Sequence, residues 1–141
     1  MTKKYLILSI FALLAGTLYA QGEMPDNAVM PSFPGGETAL LEYLKENVQY
    51  PDLARENNIE GTVALAFIVE RNGSITNVTI LRDIGGGCGV EARRVVEAMP
   101  NWTPGMVDEK PVRVRFTLPV RFRLEEPVKK KWWQREGPPR D

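Results

Sequence analysis

Val112-Arg113-Val114-Arg115-Phe116-Thr117-Leu118-Pro119-Val120-Arg121-Phe122-Arg123-Leu124 is the stretch that sets the fold. Every even position is apolar, and every odd one is Arg, Thr or Pro. Side chains alternate faces along a strand, so the pattern predicts a long half-buried β-strand with one apolar and one cationic face. Pro119 has no N–H to give to a ladder, which places the strand at a sheet edge or at a bulge. A long edge offers unpaired backbone groups to any extended chain. Proteins either blunt such an edge with charge or use it to capture a peptide.

Upstream, Thr62–Arg71 alternates again, with Val63, Leu65, Phe67 and Val69 on one face and Ala64, Ala66 and Ile68 on the other. A strand apolar on both faces belongs in the middle of a sheet. Asn72-Gly73 predicts a hairpin, because both residues tolerate positive φ, and a return strand over 74–81. After Gly85-Gly86-Gly87, Ala92, Val95, Val96 and Met99 share one side of a helix over 90–99, which Pro100 stops. Trp102-Thr103-Pro104-Gly105 reads as a turn, with Trp102 filling the core. Leu40, Leu41, Leu44 and Val48 lie on one face of an earlier helix from Glu37. Tyr50-Pro51 breaks that helix, and Pro51 opens a short second one over 52–57. The order α-α-β-β-α-β predicts an α+β fold. Its small antiparallel three-stranded sheet has the order 2-1-3, with helices packed on one face and the Arg face toward solvent.

The ends read differently. Lys3 and Lys4, the apolar run Tyr5–Ala15 and the small residues up to Ala20 form a signal-peptide pattern over 1–20, cut after Ala20. The run is shorter than the roughly 20 residues a spanning helix needs; an uncleaved inner-membrane anchor is the alternative. Residues 21–36 read as a Pro-rich linker, 37–124 as one domain, and 125–141 as a disordered tail. Lys129, Lys130, Lys131, Trp132 and Trp133 in that tail could touch an anionic membrane surface.

Charge is uneven rather than large. Residues 21–111 hold 7 basic and 14 acidic side chains, whereas 112–124 holds four Arg and no acid. Four cations are too few for nucleic-acid binding. Cys88 is the sole cysteine, so no internal disulfide forms, and there is no His. No motif suggests a metal, a cofactor or a catalytic centre, so the chain reads as a non-enzyme.

Taken in order, Tyr50-Pro51-x-x-Ala54-Arg55, Ile59-Glu60-Gly61-x-Val63, Phe67-x-Val69, Asn72-Gly73, Asn77-Val78-x-Ile80-Leu81, Ala98-Met99, Trp102-x-Pro104-Gly105 and Leu118-Pro119-Val120-x-Phe122 resemble the C-terminal domain of TonB energy transducers. Phe33-Pro34-Gly35-Gly36 and Cys88 fit the variant found in Bacteroidetes-like bacteria. The resemblance covers residues 33–124. It implies a periplasmic domain whose last strand accepts the TonB box, a short extended segment of an outer-membrane transporter. The accepting edge would be Val112, Arg113, Val114, Arg115, Phe116, Thr117, Leu118, Val120, Arg121 and Arg123, and Gln49, Tyr50 and Pro51 would meet the receptor. A full transducer of the family couples to an inner-membrane motor through a His-bearing membrane helix, and this sequence lacks that His. Two function classes follow. One is peptide capture by strand addition, from a transporter or another periplasmic protein, in TonB-dependent transport. The other is an edge-to-edge homodimer without energy-transducing activity.

Overall fold

Two devices close the first hairpin of the sheet. Glu70 donates its N–H to the Ser74 carbonyl (2.9 Å), and Gly73 donates to the Glu70 carbonyl (2.8 Å). Of the Asn72-Gly73 pair, only Gly73 takes a positive φ, 85°. The turn is therefore a three-residue loop with its glycine in the left-handed region, not a two-residue one. Gly73 also accepts the Trp102 N–H (2.8 Å). A Cβ there would lie 2.0 Å from the Trp102 carbonyl oxygen.

The computed structural model describes residues 17–124. Along the chain run β1 (Leu18–Ala20), α1 (Gly36–Asn47), α2 (Asp52–Glu56), β2 (Gly61–Val69), β3 (Ile75–Arg82), α3 (Cys88–Glu97), β4 (Gly105–Val107) and β5 (Lys110–Phe122). The sheet order is β1-β5-β2-β3, with β4 also paired to β5. β2 is central, as its two apolar faces predict. It pairs antiparallel with β3 and, from Gly61 opposite Phe122 to Val69 opposite Val114, with β5. The expected three strands thus lie in the expected order. Two short strands, β1 and β4, are added to them.

The core lies between the sheet and its helices. Val63, Leu65, Phe67 and Val69 of β2 and Val114, Leu118, Val120 and Phe122 of β5 are buried there against Ala92, Val95 and Val96 of α3 and Leu40 of α1. Ala66 and Ile68 are also buried, on the sheet's other face. Trp102 fills the core as expected, edge-on to Phe33, Phe67 and Phe116 at 5.9, 5.3 and 5.1 Å. In β3, Asn77 at φ 51° coincides with a register shift, a bulge. It lets Ile75, Val78 and Ile80 all pack toward the core despite their uneven spacing.

Helix α3 starts two residues before the periodicity predicts. The Asp83 carboxylate accepts the N–H groups of Gly85 and Gly89 (3.0 and 3.1 Å) and holds its first turn. Cys88 at that start is fully buried; burial first and Asp83 second push its thiol up. Pro51 stands at the N-cap of α2 with ψ 136°, one residue outside the helix rather than inside it.

Two expectations at the N-terminal side are corrected. Residues 21–36 do not run free. Val29 pairs with Met106, Ser32 pairs with Thr103, and Phe33 is buried against Tyr43 and Trp102. Leu18–Ala20, read as the end of a leader outside the fold, is strand β1, parallel to β5. The predicted tail, including Lys129, Lys130, Lys131, Trp132 and Trp133, lies outside the described residues.

Candidate functional site

Backbone groups of successive strand residues point to opposite sides. The Arg115 carbonyl accepts the Gln21 N–H (3.1 Å) on the border away from β2, so the odd residues of β5 face that border. The N-terminal half is covered: Leu18 lies opposite Arg113, Tyr19 opposite Val114 and Ala20 opposite Arg115. Thr117 donates its N–H to the Gln21 side-chain oxygen (3.1 Å). Beyond it, alternation leaves the carbonyls of Thr117 and Pro119 and both backbone groups of Arg121 on the border, with no partner strand among the described residues. Pro119 lies opposite Ala64 with its nitrogen turned outward, so it costs the β2 ladder nothing.

The predicted edge is therefore half open. Of its ten residues, Val112 pairs with Gly105 of β4, and Arg113, Val114 and Arg115 lie against β1. Phe116, Leu118 and Val120 turn their side chains to the helix-covered face, where Leu118 and Val120 are buried. Thr117 and Arg121 line the open part, with Arg123 at its end.

The cations separate in the same way. The Arg113 guanidinium binds the Glu70 carboxylate at 2.7 Å, and Thr76 donates to that carboxylate at 2.7 Å. These bonds, Arg113 first, hold the Glu70 carboxyl below its ordinary range. Arg113 is thus engaged inside the molecule, whereas Arg115, Arg121 and Arg123 are exposed.

Beside the open half lies a groove of about 1040 Å³. One wall is Leu41, Leu44, Lys45 and Val48 of α1 and the residue beyond it. The other is Pro119–Leu124, and Tyr50, Arg55, Asn58 and Glu60 close the end. Leu41 is 59% exposed, an apolar side chain left uncovered at the groove. The sequence puts Leu41 on one helix face with Leu40, Leu44 and Val48, and does not separate it from the buried Leu40. Two adjacent leucines on one amphipathic helix, wider than the core stripe needs, were the available signal.

Tyr50 also lines the groove. Its hydroxyl donates to the Ile59 carbonyl, and its ring meets Phe122 edge-on at 5.7 Å. Burial, then Cys88 and Glu60, push that hydroxyl up. The Gln49 N–H donates to the Glu91 carboxylate (3.2 Å), which Arg94 holds at 3.1 Å and keeps below its usual range. Pro51 approaches Gly87. These three residues fix the α1–α2 junction, and of them only Tyr50 lines the groove. Among the described residues no cluster of side chains could hold a metal ion, and no helix is long and apolar enough to cross a membrane.

Comparison with known proteins adds the family. A family model for the Gram-negative bacterial TonB protein C-terminal matches residues 46–124, more than half of the chain. Protein TonB of Vibrio cholerae serotype O1 is 33% identical over 81 residues, covering 55% of this chain and 32% of the Vibrio protein, most of which lies outside the match. Two NMR solution structures of the Helicobacter pylori TonB-CTD are similar. One has a TM-score of 0.48 at 19% identity, covering 64% of this chain and 95% of that one. The other has 0.46 at 20%, covering 67% and 89%. The matched segment runs from the end of α1 through the whole of β5, and on it the chain belongs to the TonB C-terminal domain family.

Proposed function

We propose that this domain captures an extended peptide by strand addition on the open border of β5, and that through it the chain takes part in TonB-dependent transport. The reading places it in the periplasm, with a segment of an outer-membrane transporter or another periplasmic protein as its guest, and gives it no catalytic role. The observation that carries it is that, among the described residues, the border from the Thr117 carbonyl to Arg121 has no partner strand and an apolar groove lies open alongside it. A guest strand would lie about 4.8 Å from β5. Its alternate side chains would drop toward Leu41, Leu44 and Val48, and the others would meet Arg115, Arg121 and Arg123. The favoured guest therefore alternates apolar and acidic residues. The parallel pairing of β1 on the same border supports a guest running in the direction of β5.

An alternating Glu/Val octapeptide, titrated by fluorescence anisotropy, tests the reading. Leu41→Asp, at a position outside the buried core, weakens binding about tenfold, the loss of about 1.4 kcal/mol of apolar contact. Unchanged affinity in Leu41→Asp, or no binding by any form of the chain, overturns it.

A further inference from the structure

The two halves of the border differ in hydrogen-bond donors. In the open half, Pro119 has none to give, and Arg121 supplies the one outward N–H between Thr117 and Phe122. The outward N–H groups of Arg113, Arg115 and Thr117 all lie in the half covered by Leu18–Gln21. We propose that Leu18–Gln21 is a guard strand. It occupies in cis the donor-rich half of the guest site and must leave before a guest can pair along the full length from Arg113 to Arg121. This rests on the strand-addition reading above.

The guard is built to be displaced. It has three residues in strand, none of them in the core cluster, and Leu18 is 43% exposed. The contacts that hold it include its backbone pairing with β5, the Gln21 N–H on Arg115 and the Gln21 side chain on Thr117. Such contacts at an exposed edge are the same kind a guest would make, so the guard's advantage over a guest is its tether, which raises its effective concentration at the border. The predicted leader boundary falls at the last residue of β1. Hydrolysis of the Ala20–Gln21 bond, with water supplying the new carboxylate oxygen and amine protons, would remove β1 entire. It would bare the Arg113 and Arg115 backbone only once the chain has been exported. Until then the edge is closed to stray strands.

The test uses the full chain in detergent micelles and two proline variants. The Gln21 N–H points at β5, so by alternation the Tyr19 N–H does too and the Leu18 N–H points away. Tyr19→Pro therefore detaches the guard, whereas Leu18→Pro keeps it. Affinity for the alternating Glu/Val octapeptide rises at least tenfold in Tyr19→Pro and stays at the wild-type value in Leu18→Pro. Hydrogen exchange at Arg115 and Thr117 accelerates in Tyr19→Pro and is protected again by the peptide. Equal binding by wild type and Tyr19→Pro overturns the guard and leaves peptide capture standing. Absence of binding in every form, with Arg115 exchange still accelerated in Tyr19→Pro, overturns peptide capture and the guard's purpose with it.

Discussion

Glu70 and Arg113 sit 43 positions apart in sequence and form one ion pair, less than a third exposed on either side. The pairing is invisible in the sequence, where Arg113 is one of four equivalent cations; only the β2–β5 register brings them together. Because the folded carboxyl lies below its unfolded value of about 4.3, its contribution is complete at neutral pH. It fades as the pH falls through the lower folded value. The urea midpoint should therefore drop on acidification from pH 5 to pH 3, and Arg113→Ala should flatten that part of the curve. An unaltered pH profile would dissociate this pair from stability. Gly73 gives a second prediction. With φ at 85° and the Trp102 carbonyl 2.0 Å from any Cβ, Gly73→Ala should cost about 3 kcal/mol in a chemical denaturation experiment. The sequence marks Gly73 as a turn residue, but the Trp102 contact that forbids a side chain is a long-range fact.

Of the strands legible by period two, β2 is central and β3 is its hairpin partner as read; β5, an edge strand by the reading of Pro119, instead carries β1 on its far border and is open only beyond Thr117 among the described residues. What periodicity could not reach were β1 and β4. Each is three residues long, too short to show an alternation, and each exists because β5 offers it a partner. The two-residue turn Asp108-Glu109, both at positive φ, lacks the glycine or asparagine that usually betrays such a hairpin. Phe33 was read as linker because its neighbours are Pro and Gly, yet its ring completes the aromatic cluster around Trp102. The groove was legible only in part, since its α1 wall needed Leu41 to be seen as surplus to the core. The direction of each backbone group along β5 yields a paired prediction. Val114→Pro deletes a bond to β2 at a fully buried position and should lower stability by about 3 kcal/mol or more. Arg121→Pro deletes only an outward donor. It should cost under about 1 kcal/mol of stability and weaken the octapeptide about three- to tenfold, the worth of one net hydrogen bond. Thermal unfolding by circular dichroism and peptide anisotropy together check both. Equal destabilisation by the two substitutions would contradict the alternation.

Over the whole molecule, the acidic body and the exposed Arg115, Arg121 and Arg123 set how partners approach. Screening shortens from about 10 Å at 0.1 M salt to about 3 Å at 1 M, so affinity for an acidic guest should fall several-fold across that range. The double variant Arg115→Glu, Arg121→Glu should lose most of that dependence while melting like the wild type; a retained salt slope would reduce the strip to edge protection. Size-exclusion chromatography should give a monomer, because a border half occupied and interrupted by Pro119 offers a second copy little to pair with. A dimer that Arg121→Pro dissociates would favour self-association instead. The one thiol of the chain, Cys88, has zero exposed surface at the first turn of α3, turned into the core. A sulfhydryl reagent can reach it only when the interior parts, so labelling kinetics in native buffer clock the opening of the hydrophobic centre, with no probe to engineer and no competing cysteine to subtract.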